Sequence, residues 1–312
     1  MDAYIFPGQG SQKVGMGREL AEASRHARDV FDEIDDALNQ KLSQLMWEGP
    51  ESELTLTSNA QPAIMANSVA TLRVLEKDFG MALADSAGCV AGHSLGEYSA
   101  LCGAGMFDLT QTAKLLRLRG IAMQDAVPIG VGAMAALLGA DLEKASALAE
   151  AAAEGQVCEV ANDNDPTQVV ISGHMEAIDR AVGMAKDHGI KRGIKLPVSA
   201  PFHCSLMQPA ALRMKRALDD ARTSAPAVPL FANVTAAKVT DAAEELDLLV
   251  DQITGRVRWR ESVMAMREDG AERFVEIGGK VLAPMVGRID GEAQTASLVT
   301  MEDLETFAKE NA

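Results

Sequence analysis

The segment from Cys89 to Leu101 reads "CVAGHSLGEYSAL". A short run of small apolar residues ends at Gly92, and a helical pattern begins near Leu95. Between them, Gly92-His93-Ser94-Leu95-Gly96 matches G-x-S-x-G, the pattern of a serine held on a tight strand-to-helix turn. Glycines two residues either side let the backbone turn sharply and bring other groups close, leaving the hydroxyl presented. The start of the helix adds free N–H groups and positive potential beside that hydroxyl. A chance match in a glycine-rich chain is the alternative reading of these five residues alone. A nucleophilic serine makes acyl-enzymes, and the open point is whether the acyl group then passes to water or to another thiol.

Working outward, a short apolar strand over 3–6 runs into the glycine-rich turn "PGQGSQ". Helical periodicity continues through "SRHARDVFDEIDDALNQKLSQLMW" and again through "AQPAIMANSVATLRVLEKDFG". Past the serine turn, "LTQTAKLLRLRGIAMQDA" reads as a helix capped by Asp108 or Thr110. Texture changes at Pro128. From there the pattern predicts strand 131–138, helix 142–153, strands 157–161 and 168–172, helix 175–187 and strand 193–198. That βαββαβ order is the ferredoxin-like pattern, and about 70 residues suffice for a compact insertion. Helix and strand then alternate through "SLMQPAALRMKRALDDA", "PLFANV", "EELDLLVDQIT", "WRESVMAMREDG" and "RFVEIGG". The expected fold class is therefore α/β: an α/β-hydrolase-like core with a parallel sheet, plus an inserted small ferredoxin-like subdomain. The expected boundaries are 1–127 and 198–312 for the large catalytic domain and 128–197 for the insertion.

The chain has 312 residues, 47% hydrophobic and 24% charged, enough to bury a core without staples. Its 45 acidic and 29 basic side chains give a net charge of -16. Such a field repels nucleic acid and anionic membrane surfaces, so neither is an expected partner. Four cysteines show no metal-like spacing and read as small buried hydrophobes in a reducing compartment. "MDAYIFPGQGSQ" lacks the pattern of a signal peptide, and the glycine-broken segment 129–140 is too short to span a bilayer. The expected location is cytoplasmic.

A nucleophilic serine needs a base, and the chain has five histidines. His26 sits in a charged helical run, His93 directly precedes the serine, His174 opens a helix, and His188 closes one before Gly189. His203 lies in "VSAPFHCSLM", small and apolar residues between a strand and a helix, where an imidazole is partly desolvated. A structural, hydrogen-bonded histidine is the alternative there. Arg117 and Arg119 sit two apart in "LLRLRGIAM" and so point to different sides of an apolar helix. An inward guanidinium is costly unless it holds an anion, and its fork fits a carboxylate. Two snorkelling surface arginines are the alternative. "PGQGSQ" offers backbone N–H groups to an oxyanion, but Lys13 stands where a dinucleotide fingerprint needs its third glycine.

Together these segments resemble the malonyl-CoA:acyl carrier protein transacylases and, more broadly, the acyltransferase domains of fatty-acid and polyketide synthases. The landmarks are "FPGQGSQ", "QPAI", "GHSLGEYSA", "RLRG", "ANDNDPTQVVISG", "APFHCSLM", "DQITGRVRW" and "EIGGKVL", in that order along nearly the whole chain. The resemblance implies Ser94 as nucleophile and His203 as general base and acid. It implies that Arg119 pairs with the malonyl carboxylate and that the N–H groups of Gln9 and Leu95 form an oxyanion hole. The Gln252 main-chain carbonyl would orient the histidine, so no triad aspartate is needed. Gln61 would line the pocket, and Asn162 would face it from the small domain. Arg256 replaces a common proline, "EIGGKVL" is one residue shorter than usual, and Phe202 stands where some members carry serine; none is a catalytic position.

The implied activity is transfer of malonyl from malonyl-CoA to the phosphopantetheine thiol of a holo-acyl carrier protein, by a ping-pong route through malonyl-Ser94. The implied pathway is fatty-acid biosynthesis, with no metal and no cofactor beyond the carrier's own arm. Alternatives are a trans-acting polyketide acyltransferase or a serine thioesterase or esterase, for whose acid Asp163 and Asp165 are the candidates. A scaffold that keeps the fold without catalysis is the non-enzymatic alternative. Since carriers are usually acidic, a local basic patch must steer docking. Lys186, Lys191, Arg192 and Lys195 form one candidate patch, and Arg213, Lys215 and Arg216 another.

Overall fold

The structure, a computed structural model, describes residues 1–198 and 200–311. Its strands, in chain order, are β1 (Asp2–Phe6), β2 (Cys89–Gly92), β3 (Gly132–Leu138), β4 (Cys158–Asp165), β5 (Gln168–His174), β6 (Arg192–Lys195), β7 (Leu230–Phe231), β8 (Lys238–Val239), β9 (Arg273–Ile277) and β10 (Gln294–Leu298). They form two sheets. The larger has the order β10-β9-β1-β2-β7-β8 and is parallel except for the terminal β7–β8 pair. The smaller has the order β4-β5-β3-β6 and is antiparallel throughout.

Central strands of a parallel sheet are covered on both faces, so they read as unbroken apolar runs rather than alternating ones. That is why Ala3 to Phe6 and Cys89 to Gly92 are buried at every position. In the same core runs the helix Thr57–Asp78, buried along most of its length, with interior polar residues such as Asn67 and Thr71 hydrogen-bonded to the Gly278 and Asn67 carbonyls. It packs on the helix Leu109–Asp125, whose N-cap is Asp108, accepting from the Gln111 N–H at 2.6 Å. Of the two caps the sequence offers, Asp108 is the one used.

The small sheet alternates, as a sheet with two different faces should. Ala133, Ala135 and Leu137 join a separate core with Leu148, Ile171 and Ile178, whereas Met134 and Ala136 pack into the main core. The two layers are stitched through β4: Val257 donates to the Ala161 carbonyl at 2.8 Å, and Asp163 donates to the Val257 carbonyl at 2.9 Å. Buried Asp163 and Asp165 pair with Arg260 and Arg288, both at 2.8 Å.

Several expected elements change. The continuous helical run over 24–47 breaks into Arg25–Leu38 and Leu42–Glu48, with Asn39 left-handed at φ 46°. The buried Asp35 carboxylate takes the Ser43 N–H and hydroxyl at 2.8 and 2.7 Å, which caps the second helix and fixes the bend. The strand expected over 157–161 continues to Asp165, held there by the Val257 stitching. The strand expected over 193–198 stops at Lys195, two residues before Pro197, which has no N–H to give a ladder. Past residue 280 the chain adds the helix Leu282–Ile289, strand β10 and the helix Met301–Glu310. No helix of the described residues is long and apolar enough to cross a membrane.

Candidate active site

Ligands of open parallel sheets bind beyond the carboxyl ends of the strands. Here β1 delivers "PGQG" and β2 delivers Ser94 to that edge, side by side. The turn is as tight as its glycines require. A Cβ on Gly92 would lie 1.9 Å from the Gly96 carbonyl carbon, and one on Gly96 would lie 2.2 Å from the Phe6 oxygen. Ser94 itself sits at φ 54°, ψ -109°, a conformation that side-chain-bearing residues rarely hold without outside support. That support comes from Asn233, just past β7. Its side-chain oxygen accepts the Ser94 N–H at 2.8 Å, and its amide nitrogen donates to the Gly92 carbonyl at 2.6 Å.

The Ser94 hydroxyl lies 2.8 Å from His203 Nε2. On the other side of the ring, Nδ1 lies 2.8 Å from the Gln252 carbonyl oxygen, which can only accept. Nδ1 therefore carries the proton, and Nε2 offers its lone pair to the serine O–H. Burial, then the Arg119 charge, push the His203 titration down to about 3, so the ring is neutral at ordinary pH. His203 also has positive φ, at 57°. Asp163 and Asp165, the candidate acids of a hydrolase triad, are engaged by Arg260 and Arg288 instead.

Arg119 is 1% exposed. Its guanidinium donates to Gln61 Oε1 at 2.9 Å, Gln252 Oε1 at 2.7 Å and Ser94 Oγ at 3.0 Å. Every one of these partners is neutral, and Nε has none among the described residues. Arg117, two residues back, turns the other way to Gln40 and Asn59 at 2.6 and 3.0 Å. The i, i+2 reading of the pair thus describes what the helix does with them.

Serine, imidazole and guanidinium open into one cleft of about 260 Å³, which Gln9, Leu95, Gln61 and Asn162 also line. The backbone N–H groups of Gln9 and Leu95 have no acceptor among the described residues. Apolar walls come from Met123, Met134, Leu196, Val198 and Phe202. His93 edges the cleft, but its Nε2 is taken by Asn164 Oδ1 at 2.9 Å rather than by the serine. Gln252 serves three partners at once: its carbonyl meets His203, its Oε1 accepts from Arg119, and its Nε2 donates to the Ser94 carbonyl at 3.0 Å.

The other histidines lie elsewhere: His26 meets Asp78 at 2.6 Å on the surface, and His174 accepts the Val157 N–H. All four cysteines are unpaired, and no group of three metal-ligating side chains occurs among the described residues. Of the basic residues, Lys195, Arg213 and Lys215 are taken by Asp179, Asp125 and Asp219. Lys186, Lys191, Arg192 and Arg216 are exposed and have no ion-pair partner among the described residues. Asn233 and the buried Glu97, which accepts the Asn233 N–H at 2.9 Å, went unread in the sequence. Both lie in quoted segments, "PLFANV" and "GHSLGEYSA", but only the sheet order brings them together.

Residues 3–291 match the family described as the acyl transferase domain. The malonyl CoA-acyl carrier protein transacylase of Bacillus subtilis (strain 168) is 42% identical over 315 residues, covering 99% of this chain and 98% of that one. The crystal structure of acyl-carrier-protein-S-malonyltransferase from Bartonella henselae is 49% identical, with a TM-score of 0.96 over 99% of this chain and 98% of that one. A malonyl-transacylase solved in complex with its type II PKS acyl-carrier protein is 40% identical, with a TM-score of 0.95 over 100% and 99%.

Proposed function

The chain belongs to the acyl transferase domain family, and on that premise we propose that it carries malonyl from malonyl-CoA to the phosphopantetheine thiol of a holo-acyl carrier protein. The product, malonyl-carrier, supplies fatty-acid biosynthesis in the cytoplasm. Ser94 Oγ attacks the thioester carbonyl as its proton passes to His203 Nε2. The C–O bond forms, and the oxyanion is held by the N–H groups of Gln9 and Leu95; one such donor contributes about 10²–10³ in rate. The carbonyl re-forms, the C–S bond breaks, and Nε2–H protonates the departing CoA thiolate. In the second half, the carrier's thiol gives its proton to His203 and attacks the malonyl-serine. The ester C–O bond then breaks, and the proton returns to Ser94, a ping-pong cycle. Acyl transfer through serine calls for no metal or prosthetic group of the protein's own.

The observation that carries this reading is the Arg119 guanidinium 3.0 Å from the nucleophilic oxygen, with only neutral partners. A buried cation beside an acyl-serine has a purpose when the acyl group ends in a carboxylate. The test is intact-protein mass after brief exposure to malonyl-CoA. Wild type gains one malonyl group and Ser94→Ala gains none; an equal adduct on both would overturn the assignment.

A polyketide carrier as acceptor is the second reading, favoured by the relative solved with a type II PKS carrier. Faster transfer to a polyketide carrier than to a fatty-acid carrier would select it. We read residues 1–127 and 198–312 as an α/β-hydrolase-like domain and 128–197 as its ferredoxin-like insertion. The βαββαβ order, the β4-β5-β3-β6 sheet and the separate small core support that division.

A further inference from the structure

Behind the nucleophile turn, two carboxylic acids meet in the interior: Glu97 on the helix Leu95–Gly103 and Glu245 on the helix Ala242–Thr254. They are 0% and 2% exposed, lie within hydrogen-bonding reach of one another, and are not part of the cleft wall. One Glu97 oxygen accepts the Asn233 N–H at 2.9 Å. The other Glu97 oxygen and both oxygens of Glu245 have no donor at hydrogen-bond geometry among the described residues. Two neighbouring buried carboxylates with so few donors are a costly arrangement, since no cation among the described residues pairs with either to offset their repulsion. A single proton held between them removes the repulsion and gives one unpartnered oxygen of each group a hydrogen bond.

We infer that Glu97 and Glu245 share one proton as an acid pair, and that the pair's remaining negative charge balances Arg119 and thereby sets the preference for malonyl over acetyl groups. Among the described residues Arg119 donates only to neutral oxygens, and the carboxyl that acts on it through space is Glu97. The pair is also mechanically joined to the nucleophile, through Glu97 to Asn233 and through Asn233 to the Ser94 N–H. The Gln252 side chain, Tyr98 and Arg119 lie near Glu97, and Tyr98 and Glu244 near Glu245. The helix Gln208–Asp219, packed on Glu245's helix, turns its Lys215 outward to Asp219 and Asp247. Burial holds both carboxyls above the ordinary carboxylate range.

With one proton, the pair and Arg119 are electrically balanced, and the guanidinium is free to receive a carboxylate. When rising pH removes that proton, the added negative charge opposes malonyl but not acetyl. The inference rests on the proposed role of Arg119 as carboxylate anchor, so two readouts are needed. In Glu245→Gln the carboxamide donates where the proton sat, keeping one negative charge with no proton to lose. Single-turnover loading of Ser94 from malonyl-CoA and acetyl-CoA is followed from neutral to alkaline pH. The malonyl-to-acetyl ratio should fall at least about tenfold in wild type and stay flat in Glu245→Gln. Infrared spectra of wild type at neutral pH should contain a protonated-carboxyl stretch that moves in D2O, disappears at alkaline pH and is missing from Glu245→Gln. No such band overturns the shared proton, and wild-type infrared decides this even if the variant does not fold. A band with a pH-independent ratio overturns the selectivity role. A band without any malonyl-serine leaves the pair standing and rejects the acyl-transfer reading instead.

Discussion

Arg119 and His203 approach Ser94 Oγ together, and their roles separate under different perturbations. On the proposed role, removing the guanidinium takes away the partner of the malonyl carboxylate while leaving the imidazole in place. Breaking such a buried pairing costs about 3–5 kcal/mol, a factor of hundreds to thousands. Arg119→Ala should therefore lose malonyl loading by that factor and acetyl loading far less; parallel loading rates from both thioesters would expose equal losses and reject the role. The imidazole answers to pH. Its titration is pushed down to about 3 by burial and then by Arg119, so the free base persists through the range where an ordinary histidine protonates. Ser94 acylation should run level from pH 7 to about 5, whereas a limb near the ordinary histidine range would contradict the depressed titration. The same depression contributes stability that is present above the ordinary histidine range and lost as pH falls toward 3. Ser94, His203 and Arg119 were legible as residue types in suggestive settings. Asn233 and Glu97 were not, because an asparagine after a short strand acquires a role only from the neighbour its strand pairs with.

At the scale of elements, the nucleophile turn is held from three strands. β2 supplies it, the end of β1 crowds Gly96, and Asn233, two residues past β7, holds Ser94 in its positive-φ conformation. Asn233→Ala would leave the part-buried Ser94 N–H and the buried Gly92 carbonyl unpaired, at up to about 1–3 kcal/mol each. A drop in Tm of several degrees with slowed acylation is expected, measured by thermal melting and single-turnover loading; an unchanged Tm would show that the turn holds itself. The G-x-S-x-G turn was readable because its pattern is contiguous in the chain, with Gly92 crowded by Gly96 within the turn itself, although Gly96 is also crowded by distant Phe6. The helix break at Asn39 was not, since it depends on where the Asp35 carboxylate finds Ser43. Strand order was equally hidden: β9 and β10 lie far along the chain yet sit on the opposite side of β1 from β2.

Over the whole molecule, a net charge of -16 opposes an acidic carrier, so docking depends on where positive charge is left unneutralised. Lys195, Arg213 and Lys215 are already paired, which leaves Lys186 and Arg216 and, side by side on the small layer, Lys191 and Arg192. Charge reversal at Lys191 and Arg192 should slow transfer to the carrier, most at low salt, while loading from malonyl-CoA is unchanged. A transfer rate insensitive to the double reversal would move the docking surface elsewhere. The central claim is that the acyl group leaves Ser94 for a thiol and not for water. Its most direct test is to load the protein with malonyl-CoA, remove excess substrate, and follow the malonyl-Ser94 mass with and without holo-acyl carrier protein. The account predicts an adduct that persists in buffer and moves to the carrier's thiol when the carrier is added. An adduct that decays equally fast without the carrier would make the protein a hydrolase.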